Sequence, residues 1–411
     1  MDTALDPQKF DPHDPAYTRD PYAWYTALRE QEPVHFVPLY QSNWLFRYND
    51  VRRVLDEKEL FLKNNPNEKP TTPVSALQVT DYLPSGVFSM DPPRHDEIRT
   101  IVDPLFADAI TSAATKARQV AQAQLRTAKA SRRMELVQQY AVPVPSAVLM
   151  HVLGISQPDP DQQADPSRPN EAQVVCKWVE MILAGNDPTM PTGVRVAAKT
   201  CAMALNTYFQ AFPRCPAHQQ KGGLVQAMAT QGTKQGMLPE EVQSTALNLV
   251  VAGYLSTVFL IATGTWNLIN NPSQLALLRK EPARMKNAIE EMLRFDAPAQ
   301  LVDRYLADDV ELSGKKLKRG DKVTGVLGSA NRDKDKFPNP DTFDIMRDTT
   351  GHVGFGAGIH HCIGAPLVRV GAPVAFQELL DALPVMALGG IPQWQTDPYL
   401  RSVSNLPLAI G

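Results

Sequence analysis

The sequence predicts a mainly α protein with a smaller share of strand, and three observations carry that expectation. A helical pattern runs from Pro239 to Asn270. At 1.5 Å per residue, a helix of that length spans about 48 Å, enough to cross a domain. Further helical spacing covers Thr111–Ala130, Leu136–Gly154 and two segments within residues 171–213, interrupted near Gly185–Gly193. Extended segments are few and short by comparison.

The long pattern has clear ends. Pro239 suits a first helical position, Glu240 and Glu241 suit the N-terminal dipole, and Pro272 stops it. Its middle, including Leu247, Leu249, Val250 and Val251, is apolar all round, as a buried helix should be. Before it, Tyr22–Glu32 has helical spacing. Val34–Pro38 and Asn43–Tyr48 read as a β-hairpin, and Asn49–Leu60 as a short capped helix. Residues 1–20, with prolines at 7, 12 and 15, read as an irregular arm. Residues 62–88 and 157–170 are loop-like and proline-rich. After the long helix, residues 297–305 read as an extended strand, followed by short strands at Val310–Leu312 and Lys322–Val326.

Apolar residues make up 43% of the 411 and charged residues 21%, an ordinary globular composition. A net charge of −3 argues against a nucleic-acid partner. The four cysteines (Cys176, Cys201, Cys215 and Cys362) form no disulfide framework in so long a chain, which fits a reducing cytoplasm. Residues 1–10 lack the apolar core of a signal peptide, and no run of about 18 apolar residues suggests a membrane anchor.

The chemistry concentrates at residues 351–366, Gly-His-Val-Gly-Phe-Gly-Ala-Gly-Ile-His-His-Cys-Ile-Gly-Ala-Pro. A flexible glycine-rich loop presents Cys362 just before a helical pattern. A helix N-terminus favours thiolate over thiol. Alone, such a cysteine is usually a small buried apolar residue. His360-His361-Cys362 could also begin a zinc site, but no Cys-x-x-Cys or paired histidine lies nearby to complete it.

The stretch resembles the haem-binding loop of the cytochrome P450 family, Phe-Gly-x-Gly-x-His-x-Cys-x-Gly, at Phe355, Gly356, Gly358, His360, Cys362 and Gly364. The resemblance implies haem b with Cys362 as the axial thiolate, Phe355 shielding the sulfur and His360 at a propionate. Four further stretches resemble the family in order. Met90–Arg99 carries His95 and Arg99 on one helix face, implied to reach the propionates. Ala252-Gly253-Tyr254-Leu255-Ser256-Thr257 stands where the family has Ala-Gly-x-acid-Thr-Thr. Glu291 and Arg294 match a structural ion pair, with Thr342 or Arg347 as an open choice for its third member. Arg304, on the strand, is implied to bind a propionate.

The implied fold is the P450 fold, one domain over residues 1–411 with a large helical part and a smaller β-rich part. The implied activity is a monooxygenase that uses O2 to oxidise a small hydrophobic organic substrate. Its electrons would come from an external ferredoxin or flavodoxin with an NAD(P)H-dependent reductase, docking on the cysteine side near Arg94 and Arg369. Ala252 and Gly253 would leave room beside the iron, with Ser256 and Thr257 close by. The implied pocket lining is Val87, Phe88, Val251, Leu301, Val302 and Val403, together with Ala299 and Gln300, and the turn at residues 399–404 would touch substrate. One departure has chemical content. Leu255 replaces the acid that normally relays protons with the alcohol, and a leucine cannot relay. The alternative is therefore a haem-thiolate enzyme that avoids this relay, by nitric oxide reduction, peroxide-driven oxidation or oxidative coupling.

Overall fold

Proline opens the first elements rather than breaking them. The computed structural model describes residues 5–67, 86–129, 132–157, 169–185 and 190–411. Pro7 starts a 3-10 turn through Lys9, and Pro15 starts α1 (Pro15–Arg19), where the Asp14 carboxylate accepts from the Ala16 N–H at 2.7 Å. Tyr17 of α1 is buried. The arm is thus ordered where described, because its prolines occupy first helical positions.

Next come α2 (Tyr22–Gln31), β1 (Val34–Val37), β2 (Ser42–Leu45), α3 (Tyr48–Asp56) and β3 (Phe61–Leu62). β1 and β2 form the expected antiparallel hairpin, Val34 opposite Leu45. α3 is shorter than the pattern suggested and has no local side-chain cap. Its first N–H, from Tyr48, donates instead to Asp333 Oδ2 at 2.8 Å, a partner distant in sequence. The expected loop at 62–88 lies largely outside the described residues, as does most of that at 157–170.

The helical body follows with α4 (Arg94–Ala109), α5 (Ala113–Lys129), β4 (Arg133–Glu135) and α6 (Pro143–Leu153). One π turn, Val137–Ala141, precedes α6 where a continuous helix was expected. Pro143 has no N–H to continue the ladder, and the Val142 N–H reaches five residues back to Val137. α7 (Glu171–Ala184) opens on a capping box of Asn170 and Gln173. Then come α8 (Thr192–Ala211), α9 (Pro216–Lys221) and α10 (Leu224–Ala227).

α11 (Pro239–Asn270) has the predicted bounds. It alone among the described helices is long and apolar enough to cross a membrane, and most of it is buried inside the protein, as a core helix is. Its N-terminal half packs in one core cluster with α4, α6, α7 and α8. Its C-terminal half packs in another with residues that lie on α13 (Met285–Phe295) and α15 (Ala365–Ala382). Leu255 touches both clusters, so residues near 255 form the seam between two cores.

α12 (Pro272–Lys280) leads to α13, and β5 (Leu301–Leu306), β6 (Val310–Leu312), β7 (Lys315–Leu317), β8 (Lys322–Val326) and α14 (Leu327–Ala330) lie between α13 and the glycine-rich loop. After α15 come β9 (Met386–Leu388), β10 (Gln393–Trp394), β11 (Val403–Asn405) and β12 (Pro407–Ile410). The main sheet runs β1-β2-β8-β5-β3, with only β2 and β8 parallel. A second sheet runs β4-β12-β9, and β6-β7 and β10-β11 are two-stranded.

Candidate active site

The loop before α15 is folded back on itself. The Cys362 N–H donates to the Phe355 carbonyl at 2.9 Å, and Ala365 N–H donates to the Cys362 carbonyl at 3.2 Å. The Gly364 N–H, and the same Ala365 N–H, also point at the Cys362 sulfur. Burial pushes its thiol up in pKa, against those donors and the charges of Arg99 and Arg369. The sulfur is thus furnished with hydrogen bonds but lacks a full charge partner, an arrangement suited to a thiolate bound to a metal. Gly358 has φ +63°, and a Cβ there would stand 2.0 Å from the Leu55 carbonyl oxygen, so only glycine lets the loop pass α3. The Arg369 guanidinium covers the Phe355 ring at 4.8 Å.

α4 meets this loop. The rings of His95 and His360 lie 4.2 Å apart between centroids. His95 Nδ1 bonds Asp96 at 2.8 Å, while His95 Nε2 and His360 Nδ1 are buried with no partner among the described residues. Arg99 pairs with Asp103 and also donates to the carbonyls of Ile359 and His361, tying α4 to the cysteine loop. Arg304 is buried on β5, and among the described residues its side chain donates only to the Asp303 carbonyl. Burial lowers its pKa to about 10. Burial and the charges of Lys63, Arg304, His95 and Arg99 drive the His360 imidazolium down to about 2. Orphaned ring nitrogens and an unneutralised cluster of cations beside a cysteine loop fit a group bearing carboxylates and a metal, as haem does.

α11 presents different residues to different neighbours. Ala252 is exposed to open space, and Ser256, one turn on, makes no side-chain hydrogen bond among the described residues. Gly253 was expected to leave room for a ligand. A Cβ there would instead lie 3.2 Å from both Leu149 methyl carbons, so its smallness serves the packing of α11 on α6. Thr257 shares that side, lining a small cavity of about 30 Å³ with Leu149, Leu367 and Gly371. The Tyr254 hydroxyl donates to Glu180 of α7 at 2.6 Å, a link with no motif to announce it.

Several expected positions are corrected. Leu301 is buried in an aromatic cluster with Trp44 and Tyr25, and Gln300 accepts from Tyr25 at 3.0 Å, so both face away from a pocket. Ala299 and Val302 keep part of their surface open, as does Phe88. Val403 sits in a core cluster as part of β11, and Val87 and Val251 are buried in the other large cluster. Arg94 is held by Glu241 and Glu97, and Arg369 by Glu290, so neither offers an unpaired charge for a donor protein.

Glu291 and Arg294 are wholly buried and paired at 2.7 and 2.9 Å. Arg347 Nε reaches Glu291 at 3.4 Å, which resolves the third member in favour of Arg347, with Thr342 contributing its carbonyl to both arginines.

The family model described as "Cytochrome P450" matches residues 40–388. The chain is 32% identical over 404 residues to the cytochrome P450 monooxygenase PikC of Streptomyces venezuelae, covering 95% of this chain and 91% of that protein. It is 30% identical over 406 residues to 6-deoxyerythronolide B hydroxylase of Saccharopolyspora erythraea, with 95% and 96% covered. Among solved structures, myxobacterial CYP267B1 in complex with myristic acid superposes with a TM-score of 0.84 at 27% identity, covering 99% of this chain and 100% of that one.

Proposed function

The chain belongs to the cytochrome P450 family and is a haem b monooxygenase; from that premise we propose that Cys362 would hold the haem iron through its thiolate and that the substrate is a small hydrophobic organic molecule. The observation that carries the assignment is the sulfur of Cys362, met by two backbone N–H donors on a loop locked to α4 by Arg99. Bound haem, with a thiolate pushing electron density onto it, supplies the reductive activation of O2.

The residues of this chain do the rest. Backbone N–H groups hold the Cys362 sulfur as thiolate. His95, Arg99, Arg304 and His360 orient the carboxylate edge of the cofactor. Arg369 lies over Phe355, which together screen the sulfur from water. Ala252 would leave space for a ligand, and Ser256, one turn further along α11, would offer its hydroxyl there. Phe88 and Val302 contribute apolar lining. The myristic acid in the complex of the solved neighbour supports an apolar substrate. Electrons would come from a ferredoxin or flavodoxin with an NAD(P)H-dependent reductase, in the cytoplasm.

Leu255 favours a second reading. An apolar residue at the seam of two cores cannot pass a proton, which suits peroxide-driven oxidation, nitric oxide reduction or oxidative coupling. The test is spectroscopic first. Reduced protein with carbon monoxide should absorb at the thiolate-specific Soret position, and Cys362→Ser should abolish that band. Retention of the band in the variant would overturn the assignment. Product formation with an NAD(P)H-driven donor against hydrogen peroxide then separates the two readings.

A further inference from the structure

We propose that Lys63 is a cofactor-binding residue, forming with Arg304 of β5 a cationic pair just past the end of β3 that would receive the two haem propionates. The inference rests on the haem reading above and adds to it a residue that no motif marks.

The argument starts from strand register. β3 pairs antiparallel with β5, Phe61 opposite Leu306 and Leu62 opposite Tyr305. One step beyond this ladder, just past the end of β3, Lys63 stands across from Arg304, whose charge acts on it. Like charges directly opposite each other are destabilising in a sheet. The carboxylates of Asp303 and Asp91 offset that repulsion in part, but neither forms an ion pair with Lys63 or Arg304 among the described residues. The Lys63 ammonium has no ion pair or hydrogen bond among the described residues. Arg304 is 3% exposed, and among the described residues its side chain donates only to a backbone carbonyl.

The nearby carboxylates are already engaged. Asp303 takes Lys322 at 2.7 Å, Tyr399 at 2.9 Å and Thr324 at 2.7 Å. Asp91 accepts from the Lys63 N–H at 2.7 Å, the Asn64 N–H at 3.1 Å and the Asn64 side chain at 2.8 Å. Asp91 therefore fixes the backbone of Lys63 rather than its charge. It also stands just ahead of α4, so one carboxylate ties Lys63 to the helix that carries His95 and Arg99.

Two cations with no ion pair among the described residues thus lie near each other and near His360, beside two orphaned nitrogens, His95 Nε2 and His360 Nδ1. A group with two carboxylates satisfies all four. Burial, and then the Arg304 charge, depress the Lys63 ammonium to about 7, and a bound dianion would reverse that.

The experiment uses the haem-loaded enzyme. Lys63→Met and Lys63→Gln should lose haem to excess apomyoglobin about tenfold faster or more, the scale of one charge-assisted hydrogen bond. Lys63→Arg should stay near wild type. The ferric/ferrous midpoint should fall in both neutral variants, because removing a cation favours the more positive oxidised state. Arg304→Met should shift both readouts in the same direction. Unchanged haem transfer and midpoint in the neutral variants would overturn the proposal. So would unchanged values joined to weaker binding of a fatty carboxylate such as laurate, since Lys63 would then serve the substrate. Failure of the underlying haem reading looks different: the wild type itself would lack the thiolate spectrum.

Discussion

Replacing Glu291 with alanine should leave little haem-loaded protein, and the structure sets the scale. The carboxylate accepts from Arg294 Nε at 2.7 Å and Nη2 at 2.9 Å, from the Asp344 N–H at 2.9 Å and from Arg347 Nε at 3.4 Å. Both Glu291 and Arg294 are 0% exposed. Breaking a buried pair by removing one partner costs ~3–5 kcal/mol, because the surviving charge stays buried. Arg294 keeps the carbonyls of Asn331 and Pro340, which places the cost toward the lower end. The orphaned Asp344 N–H adds roughly 1–2 kcal/mol. The total, about 4–6 kcal/mol, is a large part of the ~5–15 kcal/mol that holds a domain together.

The loss falls on residues 331–347, which the network fastens to α13 and which lead into the cysteine loop. Glu291→Gln keeps an acceptor for Asp344 and for one arginine N–H, so it should cost about 2–3 kcal/mol. Urea midpoints by circular dichroism, with the ratio of haem to protein absorbance, measure both variants. A Glu291→Ala protein that is fully haem-loaded, as stable as wild type and merely inactive would refute this reasoning and make Glu291 catalytic.

Other outcomes follow from single sites. Gly358→Ala meets both a left-handed φ and the Leu55 carbonyl, so stability should drop by about 2 kcal/mol or more with partial loss of haem; an unchanged thermal midpoint would count against the loop geometry. Burial alone would raise the Glu290 carboxyl, but hydrogen bonds and charge from Arg369 and His352 hold it down at about 2. Its folded value lies below the ordinary 4.5, so its stabilisation is full above pH 4.5 and is lost as pH falls toward 2. Glu290→Gln should flatten stability against pH in that window, and an unaltered slope would contradict the assignment. Leu255→Asp should raise product formed per NADH if an acid relay is what the wild type lacks, whereas Ser256→Ala should lower it and release more hydrogen peroxide; identical ratios in all three proteins would show that protons arrive by another route.

The parts legible in the sequence were those governed by local rules. α11 begins at Pro239 and ends before Pro272 because proline suits a helix start and cannot extend a helix past its end. The glycine-rich loop was legible because its fixed spacing leaves little freedom. Illegible were choices made by partners far along the chain. Arg347 rather than the Thr342 side chain completes the Glu291 network, which depends on how residues 331–347 wrap. Which residues of 299–302 keep open surface depends on the N-terminal aromatic cluster, which claims Gln300 and Leu301. Gly253 invites a reading as space for a ligand, yet its neighbour Leu149 comes from a different helix. Lys63 carried no signal, because its meaning lies in a strand register with residues some 240 positions later.

The seam at residue 255 bears on the choice between the two chemical readings. At about 100° per residue, Tyr254 and Ser256 lie some 200° apart around α11. The polar pair of Tyr254 and Glu180 therefore serves the packing of α7 on α11 and cannot hand a proton straight to Ser256. Leu255 lies between them and packs against both cores, so an ionised acid in its place would lose hydration unless solvent or a partner reached it. An acid there is costly in this chain, and apolar contact between the two halves of the helix has taken its place. Any proton that reaches Ser256 must then come from the open side it shares with Ala252, by way of water or of the substrate itself. Coupling in the wild type should accordingly depend on the substrate: one that carries a hydroxyl near the reacting carbon should waste fewer reducing equivalents than an apolar analogue of equal size. Equal peroxide release with the two would place the proton source elsewhere and leave Leu255 as ordinary packing.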